Sequence, residues 1–169
     1  TNGQNSADLT VAINSKLSVT YTDPWDDTPT VLDLARVDPY GIVFDTVTGQ
    51  PVNGASVTLI NTSSNLPADV FGDDLAPGYP ATVISGQTIV HNSITYDVPE
   101  GSFRFPFINP GTYKLVVTPP DGYANHTTTL DFAILQQLPG GPFALSNASI
   151  GGPFPVNPGP AIHIDVPVD

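Results

Sequence analysis

The chain has 169 residues with 16 acidic and 4 basic side chains, a formal charge of −12, and neither cysteine nor methionine. Four bases do not follow a phosphate backbone, whose binding comes from neutralising many phosphates at once, so nucleic acid and anionic membrane surfaces are excluded as partners. No apolar run reaches the ~18 residues of a membrane span, and the lack of cysteine excludes disulfides, thiolate metal sites and a cysteine nucleophile.

With 40% apolar and 12% charged residues, the chain is composed to bury a core. One domain, or one domain plus an arm, is the expectation at this length. The chain opens without methionine or a signal-peptide pattern and reads as a processed piece of a longer protein. Aspartate supplies 15 of the 16 acids, with Glu100 the exception. Aspartate belongs to turns and caps and is a compact oxygen ligand for hard cations, so the charge points to acidic loops on a β scaffold, with calcium as the candidate cofactor.

From the N-terminus, residues 9–13 and 17–21 alternate apolar and polar side chains and read as strands joined by a turn at Asn14, Ser15 and Lys16. Leu9, Val11 and Ile13, then Leu17, Val19 and Tyr21, are their apolar positions. A third extended run covers 30–37. Residues 1–38 therefore form an extended strand segment ahead of the main domain. It packs on that domain, or is the end of a preceding repeat, or is an arm that adds to a neighbouring subunit's sheet edge. Identical subunits joined head to tail in the last way build an open filament.

The centre is better defined. Residues 41–45 and 55–60 alternate as a half-buried strand pair, with Ile42 and Phe44 on one face and Val43 and Asp45 on the other. Residues 61–99 form an insertion of 39 positions, which includes a strand-like run at 88–96. A structureless loop of that length is unusual, so the insertion is expected to contribute a hairpin. Strands follow at 103–107 and 113–118 around a turn at Asn109, Pro110 and Gly111. A short helix is expected over 130–138, capped by Asp131 or Thr129 and stopped by Pro139, Gly140 and Gly141. The tail closes with a strand at 161–166.

The spacing of Gly41, Val43, Asp45, Thr48, Gly49, Pro51, Gly54, Ala55, Val57 and Leu59 recurs in a known module type. So does that of Gly101, Phe103, Phe105, Pro110, Gly111, Tyr113, Leu115, Val117, Gly122 and Tyr123. The pattern resembles the carboxypeptidase-regulatory-like and Cna-B-like modules of large bacterial surface and adhesin-like proteins. The resemblance implies an all-β, antiparallel, prealbumin-like (Ig-like) β-sandwich over 39–169, without catalytic residues, serving as a stalk spacer or matrix component. Cna-B-like modules often carry a Lys–Asn isopeptide cross-link with its lysine in the first motif strand. That strand has no lysine here, and Lys16 and Lys114 lie elsewhere, so the cross-link is not expected.

Among polar clusters, Asp23, Asp26 and Asp27 around Trp25 are the densest, and Asp69, Asp73 and Asp74 form a second. Carboxylates so close repel unless solvated or neutralised, and Ca²⁺ takes six to eight oxygens, as an acidic turn with backbone carbonyls supplies. Asp38 and Asp45 are possible contributors. His163 and Asp165 share one face of the last strand without a third ligand or a nucleophile motif beside them, and read as its exposed polar face. Trp25 and Tyr79 are the candidate glycan contacts, although Tyr113 and Phe105 sit where the core belongs. No carboxylate pair is marked out for glycoside hydrolysis.

The combined reading is an extracellular structural protein, a stalk module or self-assembling subunit of an adhesive or biofilm-matrix fibre. It is joined by strand donation through residues 9–21, rigidified by calcium, and partnered by copies or neighbouring modules of itself. A carbohydrate-binding module of a surface adhesin is the alternative.

Overall fold

The computed structural model describes residues 17–23, 26–34 and 37–169, the first two stretches through their backbone pairing alone. β1 (Leu17–Asp23) and β2 (Asp26–Leu34) run antiparallel, with Leu17 opposite Leu34, Tyr21 opposite Thr30 and Asp23 opposite Asp26. Among the described residues they form a two-stranded sheet to which no further strand is joined. The structure pairs β1 with the run that follows it, and the expected pairing of 17–21 with 9–13 falls outside the described residues. Leu9, Val11 and Ile13 lie outside the described residues, as does Trp25.

From Val37 onward the chain builds a β-sandwich. The first sheet centres on β3 (Pro39–Asp45), and the second on β4 (Ser56–Asn61). The insertion then supplies β5 (Leu66–Pro67), β6 (Val70–Phe71), β7 (Pro77–Tyr79), β8 (Thr82–Ile84), β9 (Ile89–His91) and β10 (Ile94–Tyr96). Two of these, β5 and β8, extend the second sheet along one edge of β4, which is how 39 extra residues stay compact. The expected hairpin is β9–β10. Asn92 and Ser93 take φ of 48° and 65°, the double positive φ of the tight turn that matches strand twist, so the run at 88–96 is two strands and not one.

β11 (Ser102–Arg104) pairs antiparallel with β3, while β12 (Phe107–Ile108) pairs with β6 in a small third sheet with β7. β13 (Gly111–Thr118) lies along β4 from Tyr113 opposite Asn61 to Thr118 opposite Ser56. Next come a single helical turn, α1 (Phe132–Leu135), and a 3₁₀ turn (Asn147–Ile150) held by a reciprocal Ser146/Ser149 capping box. The tail adds β14 (Phe154–Val156) beside β13. It then adds β15 (Ile162–His163) and β16 (Val166–Val168), both parallel to β3.

Between the sheets lie Val43, Val57, Leu59, Phe103, Leu115, Val156 and Val168, all 2% exposed or less. The opposite face of β3 is covered as well. Phe44 stacks on Phe143 at 3.7 Å between ring centroids, and Leu135, Phe132, Leu138 and Leu145 pack around the pair. β3 is thus buried on both faces, which explains its nearly unbroken apolar run.

Gly41 is required by close approach. A Cβ there would stand 1.8 Å from the carbonyl oxygen of Ile164, where the chain crosses from β15 to β16. The helix is shorter than the sequence suggests: Asp131 is its N-cap residue, but its carboxylate makes no capping bond. That carboxylate bonds His126 instead. Among the described residues, no helix is long and apolar enough to cross a membrane.

Candidate functional site

Much of the polar sequence motif makes turns. The Asp45 carboxylate accepts hydrogen bonds from Val47 N (2.7 Å) and Thr48 N (2.8 Å), and these bonds hold its pKa below the usual carboxylate range. Asn53 Oδ1 accepts from Gly101 N, and Ser85 Oγ donates to Val52 O while accepting from Ala55 N. Ser85 thus ties the motif loop to the insertion, and Asn53 ties it to the strand entry that follows the insertion.

Three ionic clusters stand out. In the first, Arg104 donates from Nε to Asp38 (2.8 Å) and through both terminal nitrogens to Asp73 (3.0 and 2.7 Å). Asp38 is buried, and among the described residues its Oδ1 has no protein partner. Burial pushes its pKa up to about 6 against the opposing pull of Arg104, so the neutral carboxyl is favoured below that pH. Around this pair, Tyr96 Oη accepts from Asp73 N, and Tyr79 packs edge-on against Tyr96 and His91. Tyr79 is 3% exposed and burial moves its phenol up to about 12. In place of the open face expected for a glycan contact, its ring belongs to the core.

The second acidic turn, in which calcium was expected, is engaged by protein groups. Asp73 is held by Arg104. Asp74 accepts from Ala76 N and from Asn92 Nδ2, and those bonds lower its pKa. Asp69 is exposed at the start of β6. Among the described residues, no group of three or more His, Asp or Glu is placed to hold a metal ion. Asp23, Asp26 and Asp27 flank the β1–β2 connection, and their side chains lie outside the described structure.

In the second cluster, buried His126 bonds Asp169 through Nδ1 (2.8 Å) and Asp131 through Nε2 (3.0 Å). Burial alone would lower the imidazole pKa, but the two carboxylates outweigh it and raise it. Asp169 is lowered in turn: burial opposes the shift, and His126 and Thr46 overcome it. The third is Asp165, 2% exposed, accepting from Ile42 N (3.0 Å), Ala144 N (2.7 Å) and His163 Nε2 (2.9 Å). The sequence places Asp165 on an exposed polar face, whereas the structure breaks the strand at 164–165 and turns the carboxylate inward. His163 stays exposed and stacks on Tyr40 at 4.7 Å.

Sequence reasoning missed Arg104 and His126. Arg104 carries a faint signal, a base alternating with Phe103 and Phe105 on the strand, whereas nothing local links His126 to a residue 43 positions away.

One surface is left incomplete. β14 takes the outer edge of β13 at Gly111, Thr112 and Tyr113, while β4 accompanies the inner edge to Thr118. Beyond Tyr113, among the described residues, no strand covers the outer edge. A groove of about 320 Å³ runs beside it, between Lys114, Leu115 and Val117 and the opposing Ile150, His126 and Val166.

No protein-family model matches the chain, and no curated protein matches it in sequence. Among solved structures it is similar to BcpA, the major pilin subunit of Bacillus cereus, at 12% identity and a TM-score of 0.45 over 95% of this chain and 40% of that one. It is also similar to the group B streptococcus pilus 2b backbone protein, at 18% identity and a TM-score of 0.44 over 97% of this chain and 50% of that one. The chain thus spans half or less of the length of these proteins, and likeness this loose decides nothing about function.

Proposed function

We propose that the chain is a non-enzymatic structural subunit or module of an extracellular fibre or matrix, joined to its neighbours by β-strand pairing. One observation carries this reading. Residues 37–169 close their own core, while β1–β2 stands as a separate sheet and the outer edge of β13 lacks a partner beyond Tyr113 among the described residues. The described polar clusters support it: Arg104, His126 and Asp165 are each spent on holding segments together. The test is sedimentation velocity of the whole chain and of the chain lacking residues 1–30. Multimers that disappear on truncation are expected, and a monomer in both overturns the reading.

Calcium at Asp23, Asp26 and Asp27 is part of the same proposal. Asp23 and Asp26 are cross-strand partners at the end of the β1–β2 pairing, so three acidic residues are close together in the chain there. A ligand that binds only the native state raises its stability. The melting temperature of the whole chain should therefore rise on replacing EDTA with millimolar Ca²⁺; an unchanged melt removes calcium from the account.

A further inference from the structure

We infer that residues 9–13 of a second copy of this chain add as a strand to the outer edge of β13 at residues 114–118. The inference rests on the assembly reading above and names its acceptor. An open edge presents main-chain donors and acceptors to any extended segment, and natural sheets blunt such edges with charges, prolines or bulges. This edge carries one charge, Lys114, followed by Leu115, Val116, Val117 and Thr118.

The edge is also walled on its core side. Leu115 is buried and Val117 half-buried, both toward the groove, whereas Val116 is 45% exposed on the outer face. An incoming strand is thus offered backbone pairing together with apolar contact on one face, the arrangement by which added strands gain affinity and specificity.

Residues 9–13 fit in length and pattern. They are five residues, and in a register that sets Thr10 or Ala12 opposite Val116, Leu9, Val11 and Ile13 take the groove face and Thr10 and Ala12 the solvent face. Asp8, immediately before them, is opposite in sign to Lys114. Donor and acceptor are different segments of one chain, so the contact is heterologous and propagates into a filament.

The absence of native cysteine makes the test clean. Thr10→Cys or Ala12→Cys, each combined with Val116→Cys, places two thiols on the solvent face of neighbouring strands, within disulfide reach in one register or the other. Val116 is exposed, so its replacement leaves the core intact. Thr10→Cys with Val90→Cys is the control, since Val90 is 69% exposed on β9.

Mild oxidation should give a ladder of covalent dimers and higher species for a Val116 pair, lost in the control. Multimers in sedimentation without that ladder overturn the acceptor while leaving assembly standing. A 10–116 or 12–116 link confined to monomers overturns the second copy as donor. Monomers with no link overturn both readings.

Discussion

Arg104 makes a sharp test at the scale of single residues. It neutralises Asp38, whose carboxylate is otherwise out of water, and removing one partner of a buried pair leaves an uncompensated charge. Arg104→Ala should cost about 3 kcal/mol at pH 7.5 by denaturant unfolding. The loss should shrink at pH 4.5, where Asp38 is neutral. An equal loss at both pH values would show that packing, and not charge, is what Arg104 provides.

His126 has the opposite pH dependence. Its folded pKa is raised, so the stabilisation is fully present below its unfolded value of about 6.5 and fades as pH rises through the folded one. His126→Ala should therefore cost about 2 kcal/mol at pH 6 and less at pH 8.5. A cost that does not change with pH would mean that the neutral ring holds Asp131 and Asp169 as well as the charged one. Neither cluster was legible as a unit. A sequence shows acids and bases one at a time, and the pairs that matter here lie 66 and 43 positions apart.

Individual elements were legible where pattern is local. The runs at 56–60 and 113–118 alternate as strands should and are β4 and β13, while 41–45 is β3 but is buried on both faces where the sequence suggests one. The short β14 and β16 were hidden by Pro155 and Pro167, because proline demotes a run to an edge position. Edge strands are what these are: among the described residues, β14 bounds the second sheet, and β16 flanks β3 with only a single bridge, Asn125–Val168, beyond it.

The second cover over β3 was illegible for a different reason. The Phe44–Phe143 stack depends on how a Pro/Gly-rich tail returns, and Asp165 fixes that return by bonding both Ile42 and Ala144. Asp165→Ala leaves two backbone donors without their acceptor and should cost about 3 kcal/mol. It should also speed proteolysis around 139–145, as the cover lifts. Unchanged cleavage there would show that the apolar contacts hold the cover without Asp165.

For the whole molecule, the opening charge of −12 now divides into distinct parts. Some acids are turn formers or ion-pair partners, and Asp38 is a buried carboxyl whose ionisation opposes folding. As pH rises from about 4 to 6, Asp38 ionises at a growing cost in the folded state, and above that range the His126 contribution fades. On the acid side, Asp45, Asp74 and Asp169 have lowered pKa values, so their stabilisation is lost as pH falls below their unfolded range. The melting temperature should peak in mildly acidic solution, between about pH 4 and 6. A plateau extending through pH 8 would contradict the assignment of Asp38 and His126.

The proposed assembly joins chains at the outer edge of β13. Amide hydrogen exchange over residues 114–118, followed as the whole protein is diluted, tests it most directly. The amides bonded to β4 serve as an internal reference, because their protection does not depend on a second copy. The outward amides should exchange slowly in concentrated solution and speed up on dilution. Outward amides that exchange at one rate at every concentration would contradict it.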